Sequence, residues 1–228
     1  MIRRLGLRTR LRRAARFVLD TRHRLTTRRI NPHASDDYRR YLGIQLSRTL
    51  SKRRNDPGVG ARVLSRELVT AGMLDSSSSI LCLGCRNSVE LDLFRKAGVG
   101  NVIGIDLFSQ RADILVMDMH AMTFPDQSFD AVYCSHVLEH AFDLELVLSE
   151  IKRVARPGAV VGVEVPLGDR RSEADRIEFQ TLADLQSTVA PIVVRELWAD
   201  EQPARSPSNE QGTAIARLVF SVRDAPPA

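Results

Sequence analysis

The sequence predicts an α/β domain built on a doubly wound, seven-stranded sheet, mostly parallel and closed by an antiparallel C-terminal hairpin strand. Three features lead there. Apolar runs of strand length recur from Ile80 onward, amphipathic helical stretches separate several of them, and the last two runs are joined by a polar loop. Runs that are apolar throughout, rather than alternating, belong to strands covered on both faces, as in a parallel sheet between two helical layers.

The early runs are Ile80–Leu83, Asn101–Leu107, Ile114–Met117, Phe129–Cys134 and Ala159–Val165. The clearest helix is Leu144–Ala155, where Leu144, Val147, Leu148, Ile151 and Val154 share one face. Arg156-Pro157-Gly158 is expected to stop it and turn the chain into the next strand. Upstream, Asp36 and Asp37 can start a helix that carries Tyr38, Tyr41, Leu42 and Leu46 and stops near Asn55-Asp56-Pro57-Gly58. A second helical period covers Val59–Ala71, and a third follows the first strand over Val89–Ala97. Downstream, a helix around Glu173–Val189 is expected to precede two strands, Ile192–Trp198 and Ala214–Val222, joined by the polar loop Ala199–Gly212. The organisation expected is a basic N-terminal arm with helices over 1–58 and the α/β domain over 59–228.

At 228 residues the chain can bury one sizeable core, and its apolar fraction of 43% is ordinary for a globular protein. No apolar run approaches the roughly 18 residues of a membrane span, and arginines interrupt every candidate signal sequence near Met1, so a cytoplasmic protein is expected. The net charge of +5 is unevenly placed: residues 1–54 hold 17 of the 33 basic residues and 3 of the 28 acidic ones. Within 1–30, Leu7, Leu11, Ala14, Ala15 and Val18 recur at helical spacing among arginines. Two readings stay open for this arm: a solvated appendage, or a basic surface for anionic lipid, nucleic acid or an acidic partner. Aromatic residues do not interleave with the arginines, so stacking on single-stranded nucleic acid is not expected.

Three cysteines, Cys82, Cys85 and Cys134, give no disulfide framework. Cys82 and Cys85 spell C-x-x-C without a second pair or histidines at ligand spacing, so no metal site is expected. A thioredoxin-like pair at a strand-to-helix turn is the competing reading of that dipeptide frame.

The first strand ends in Leu83-Gly84-Cys85-Arg86-Asn87-Ser88 and a helix follows. Such a turn presents backbone N–H groups and a helix N-terminus to a ligand at the carboxyl edge of a sheet, and Gly84 lets the backbone come close. Asp106, at the end of the second strand and followed by Leu107, lies at the spacing at which an acid accepts hydrogen bonds from a bound ribose. This spacing serves several nucleotide-type cofactors alike.

The run Asp118-Met119-His120-Ala121-Met122-Thr123-Phe124-Pro125-Asp126-Gln127-Ser128-Phe129-Asp130, followed by a strand and Ser135-His136-Val137-Leu138-Glu139-His140, resembles the class I methyltransferases of the small-molecule, UbiE-like type (type 11). Ile151-Lys152-Arg153-Val154-Ala155-Arg156-Pro157-Gly158 is similar to that family's helix-to-strand turn. The resemblance covers about Ile80–Pro166 and implies a Rossmann-like fold, S-adenosylmethionine as cofactor, and methyl transfer to a small-molecule or lipid-linked acceptor at hydroxyl or carbon. It further implies that Asp118 accepts from the adenine amino group, that Met119 lies against the base, and that Ser135 and His136 line the methionine half. Gly84, Cys85, Arg86, Asp106 and Leu107 complete the expected cofactor set, with His136 and His140 as the catalytic candidates.

The family's glycine turn has the form D-x-G-x-G-x-G; here those positions are Cys82, Gly84, Arg86 and Ser88. Arg86 can pair its guanidinium with the cofactor's carboxylate instead. The rival to an active enzyme is a non-catalytic binding protein that keeps the fold and works through its basic arm. A dehydrogenase would share Gly84 and Asp106 but needs a G-x-G-x-x-G turn, which is absent. No Asn/Asp-Pro-Pro-aromatic motif follows the fourth strand, which argues against amino-methylation of adenine in nucleic acid.

The lipid reading of the arm is directly testable. The full chain is expected to co-sediment with vesicles containing anionic lipid at physiological salt, and a variant starting at Asn31 is expected to stay in the supernatant; equal pelleting of the two would end that reading.

Overall fold

The structure is a computed structural model that describes residues 35–51, 59–85, 89–109, 111–168, 171–204 and 213–222. The basic arm 1–30 and Arg86 lie outside the described residues.

The elements are α1 (Asp36–Ser51), α2 (Val59–Gly72), β1 (Ser79–Leu83), α3 (Val89–Lys96), β2 (Asn101–Asp106), β3 (Ile114–Val116), β4 (Phe129–Ser135), a 3-10 turn (Leu138–His140), α4 (Leu144–Val154), β5 (Ala155–Leu167), α5 (Leu182–Val189), a 3-10 turn (Ala190–Ile192), β6 (Arg195–Gln202) and β7 (Ala214–Ser221). They form a seven-stranded sheet in the order β3-β2-β1-β4-β5-β7-β6. The pairs from β3 to β5 are parallel, and β7 runs antiparallel to both β5 and β6. The winding reverses between β1 and β4, the switch point at whose carboxyl edge open α/β sheets bind ligands.

Both faces of the sheet are packed, which is why the strands read as apolar throughout. On one face Leu64 and Leu68 of α2 and Leu91 and Phe94 of α3 cover Ile80, Cys82, Ala131, Tyr133 and Val219. On the other, Val147, Leu148, Ile151 and Val154 of α4 and Leu185 and Val189 of α5 cover Leu81, Leu83, Val132, Cys134 and Val161. Burial of these side chains is the main stabilising term, at about 1.5–3 kcal/mol for each large aliphatic or aromatic side chain. A third cluster, Tyr38, Tyr41 and Leu42 of α1 with Leu107 and Phe142, seats α1 on the domain beside β2.

Caps and ion pairs fix the connections. Asp143 caps α4 by accepting from Leu146 N, and Thr181 and Asp184 form a reciprocal capping box on α5. Arg153 of α4 donates to the carbonyl oxygens of Phe124 (2.7 Å) and Met122 (2.8 Å), while Glu150 accepts from Met122 N (2.7 Å). The segment between β3 and β4, which carries Asp118, is thus strapped to the helix whose Ile151–Val154 stretch supplies the second motif.

Four expected features come out differently. The helix around Glu173–Val189 is confined to Leu182–Val189: the N–H groups of Arg176 and Ile177 both donate to the carbonyl of Glu139, and Ser172 and Asp175 close a local turn. Arg156-Pro157-Gly158 does not interrupt β5; it forms a bulge between the pairs Phe129–Ala155 and Ala131–Val160, with Gly158 at φ +81°. Ile192 ends a 3-10 turn instead of opening a strand. And β6 runs on to Gln202, into the expected loop, because backbone pairing with β7 holds a polar edge strand in place without an apolar face.

Gly104, in the middle of β2, is a packing requirement. A Cβ there would stand 2.3 Å from Cys85 Sγ, 3.2 Å from Ile114 Cγ1 and 3.3 Å from Leu91 Cδ1. Gly104→Ala is therefore expected to destabilise the fold by about 1–3 kcal/mol through overpacking, read as a lower urea midpoint at unchanged slope; a midpoint within error of wild type would show that α3 yields freely.

Candidate functional site

At the switch point a cleft opens between the carboxyl ends of β1, β2 and β4 and the helix α1. The sheet side is formed by Gly84, Ile105, Asp106 and Leu107, the strap after β3 by Met117, Asp118 and Met119, and the end of β4 by His136, Val137 and His140. Tyr41, Leu42, Gln45, Arg48 and Thr49 of α1 form the remaining wall.

Gly84 sits at φ +62°, in the left-handed region, and a Cβ there would come within 2.6 Å of Val137 Cγ2. Only glycine suits a turn pressed this closely against the end of β4. Asp106 is 7% exposed at the end of β2, and its Oδ1 accepts from Phe108 N (3.3 Å). Leu107 packs with Tyr38 and Tyr41 as well as lining the cleft.

Asp118 is held from several sides. Its Oδ1 accepts from His120 N (3.0 Å) and faces His120 Nδ1 at 2.8 Å, while Oδ2 accepts from Tyr38 Oη (2.7 Å). Burial opposes the charge, yet the bonds from His120 and Tyr38 keep the carboxyl below the usual carboxylate range. Oδ2 retains one further lone pair for an acceptor role. Nε2 of His120 accepts from Phe142 N (3.1 Å), which places the ring proton on Nδ1, the atom facing Asp118. The His120 ring meets Tyr38 and Tyr41 edge-on, at centroid distances of 5.4 and 5.8 Å. Burial pushes both tyrosine hydroxyls up, so they remain donors.

At the end of β4, His136 has φ +53°, rare for a residue with a side chain. Its N–H donates to the carbonyl of Glu164 (2.9 Å), its Nδ1 lies 3.6 Å from Glu139 Oε1, and its Nε2 lies 3.4 Å from Glu164 Oε1. Burial alone would discharge the ring, but Glu139 and Glu164 outweigh it and push the pKa up to about 10. His136 is therefore a cation near neutral pH and has no free base to offer. His140 is placed differently. Its Nδ1 lies 3.0 Å from Asp175 Oδ1, the same oxygen that accepts from Arg48 Nη1 at 2.8 Å, and its carbonyl accepts from Tyr41 Oη at 2.7 Å. Burial raises the Asp175 carboxyl, but Arg48, Ser172 and His140 together hold it below its ordinary range. The His140 ring thus stands at ion-pair distance from the Asp175 carboxylate.

Two expected contacts do not form. Cys85 faces away from the cleft: its Sγ lies 3.7 Å from the carbonyl of Ile105, its N–H donates to the same oxygen at 3.3 Å, and its side chain is buried. The turn tightens onto β2 at that residue, which uses up the N–H a ligand would need. Ser135 likewise turns from the cleft and donates to Glu164 Oε1 at 2.9 Å. The thioredoxin-like reading also falls, since burial holds the thiols of Cys82 and Cys85 well above the ordinary thiol range, and neither is a thiolate.

Sequence reasoning missed Glu164, Arg217 and His120 as parts of the site, while the N-terminal helices and the segment 165–178, with Asp175, were expected to build the acceptor side. For Glu164 and Arg217 a signal existed: each is the one charge in an otherwise apolar strand core, Val160–Val165 and Ile215–Phe220.

Residues 81–163 match the family model of the methyltransferase domain. Over that stretch the chain is similar to the class I methyltransferases. Their cofactor, S-adenosylmethionine, suits the acceptors Asp106 and Asp118 and the cradle at Gly84. A sterol 24-C-methyltransferase of Gibberella zeae is 54% identical over 46 residues, which is 20% of this chain and 12% of that protein. Another, from Aspergillus fumigatus, is 49% identical over 55 residues, 24% of this chain and 15% of that protein. The match thus spans under a fifth of the curated relatives' length. Among solved structures, the Burkholderia thailandensis 1,6-didemethyltoxoflavin-N1-methyltransferase, bound to its substrate and S-adenosylhomocysteine, superposes with a TM-score of 0.59 at 15% identity over 72% of this chain and 78% of that one. The [4+2]-cyclase SpnF superposes with a TM-score of 0.59 at 17% identity over 72% and 81%. At such identities the likeness shows the fold of this methyltransferase domain, and its chemistry must be argued from the site.

The charge on His136 has a measurable consequence. A histidine pKa raised in the folded state stabilises the methyltransferase fold fully below the unfolded value of about 6.5, and that contribution is lost as the pH rises through about 10. The His136 ring is expected to stay protonated at pH 8 in an NMR titration, and Glu139→Gln is expected to lower its midpoint; a wild-type midpoint near the unfolded value would contradict the assignment.

Proposed function

We propose that the protein transfers the methyl group of S-adenosylmethionine to a hydroxyl or carbon of a small-molecule or lipid-linked acceptor. The observation that carries this reading is the convergence of Gly84, Asp106 and Asp118 on one cleft at the switch point, beneath α1. Asp106 accepts from the ribose hydroxyls, Asp118 from the adenine amino group, and Leu107 and Met119 flank the base. Arg86 is assigned to the cofactor's carboxylate. When bound, the cofactor supplies a sulfonium-borne methyl group for in-line displacement, so the protein's work is mainly position and exclusion of water.

The acceptor side lies where α1 meets the loop after β5. Gln45 donates to the carbonyl of Ala174 (2.6 Å) and Arg48 to Asp175, bringing together the helix and loop that close the cleft. His140, beside Asp175, takes the proton released by a hydroxyl or weakly acidic carbon acceptor. His136, already charged, clamps the cleft wall. The 46- and 55-residue likenesses to sterol 24-C-methyltransferases favour carbon as the methylated atom and a lipid-class acceptor. Residues 1–30 are assigned to an anionic membrane surface on the cytoplasmic side, where such an acceptor resides. Among the described residues no helix is long and apolar enough to cross a membrane.

Thermal-shift titration with S-adenosylmethionine tests the reading. Ligand at 100 times its dissociation constant is expected to stabilise the fold by about 2.7 kcal/mol. Asp106→Ala is expected to remove most of the shift, whereas an unchanged affinity would refute the ribose contact. No shift at millimolar cofactor would refute the methyltransferase reading itself.

A further inference from the structure

Arg217 is the one charged residue of the β7 core, and none of its surface is exposed. Its Nε donates to Glu164 Oε2 (2.5 Å) and its Nη1 to Asp200 Oδ2 of β6 (2.7 Å). Its Nη2 has no hydrogen-bond partner among the described residues. A fully buried guanidinium with an unsatisfied N–H is costly, and an apolar side chain of similar volume often serves stability as well or better. Packing alone does not account for it.

The far side of Glu164 shows what the arginine holds. Glu164 Oε1 accepts from Ser135 Oγ (2.9 Å) and lies 3.4 Å from His136 Nε2, and its carbonyl accepts from His136 N (2.9 Å). His136 carries the left-handed backbone of the turn, and the next residue, Val137, is the side chain pressed against Gly84. A continuous chain of contacts therefore runs from the β6–β7 hairpin through the sheet to the glycine turn. We infer that Arg217 is a positioning residue of the cleft: by gripping Glu164 against Asp200 it sets where the Ser135-His136-Val137 turn stands relative to Gly84. The hairpin is thereby part of the site, joined through Glu164 to His136, which lines the cleft. The inference goes beyond the proposed function and rests on it only where cofactor affinity is the readout.

The test uses the full chain, with S-adenosylhomocysteine as the probe in calorimetry and the His136 ring resonances in NMR. Arg217→Met is expected to weaken S-adenosylhomocysteine binding at least tenfold and to move the His136 resonances. Arg217→Lys, whose single ammonium can reach Glu164 without bridging to Asp200, is expected to recover part of both effects. A folded Arg217→Met protein that binds within twofold of wild type with unmoved His136 resonances overturns the inference. Should Arg217→Met fail to fold, Asp200→Asn removes only the outer anchor: displaced His136 resonances support the inference and unmoved ones overturn it. A wild-type protein that does not bind S-adenosylhomocysteine refutes the methyltransferase reading, and the His136 resonances alone then decide the role of Arg217.

Discussion

A buried carboxylate near the C-terminal end of β5 organises the end of the sheet where the cleft lies. Glu164 is ringed by Ser135, His136 and Arg217, and each contact places something different. Burial of a charge is tolerated only when its lone pairs are met by donors, and here burial is outweighed by His136 and Arg217, which keep the carboxyl below its ordinary range. The same arrangement holds His136 in a left-handed conformation that a free chain would avoid. That conformation turns Val137 toward Gly84, and the narrowness of the cleft at this point follows from it.

The cleft has two halves with different physics. Around Asp118 the groups are aromatic and locked: Tyr38, Tyr41, His120 and Phe142 pack on one another, and each polar atom used there has a defined partner. This half suits a planar base. Around His140 the groups are ionic and reach across from separate segments, Arg48 from α1 and Asp175 from the loop after β5. Glu139, whose Oε2 has no hydrogen-bond partner and is buried between the two histidines, adds negative charge there. Helix α1 belongs to both halves, through Tyr38 on one and Arg48 on the other. A shift of that helix would alter the two together.

The fold by itself does not settle the reaction. A methyltransferase and a cyclase superpose on this chain equally well, each with a TM-score of 0.59. What narrows the chemistry is the combination of a close-approach glycine, the acidic residues Asp106 and Asp118 in one cleft, and a histidine beside a carboxylate.

The sequence by itself determined the strands β1 to β5, the helix α4 and the cleft's location, because strands packed on both faces must be apolar throughout and helices must carry a single apolar stripe. Gly84 and Asp106 were legible for a similar reason, since their positions relative to strand ends are set by local chain geometry, whereas Asp118 was legible through the family resemblance of its run. The polar strand β6 was not legible, since backbone pairing with β7 holds it and leaves no apolar mark. Nor was the loss of the helix over Glu173–Thr181, which gives up backbone N–H groups to the carbonyl of Glu139, distant in sequence. Only the tertiary structure could decide which carboxylates each of two nearby histidines meets. His136 and His140 differ by four positions and share Glu139 as a neighbour, yet Glu164 flanks one ring and Asp175 the other, carboxylates from two other segments. Protonation depends on charges brought together across the fold, and no spacing along the chain encodes it.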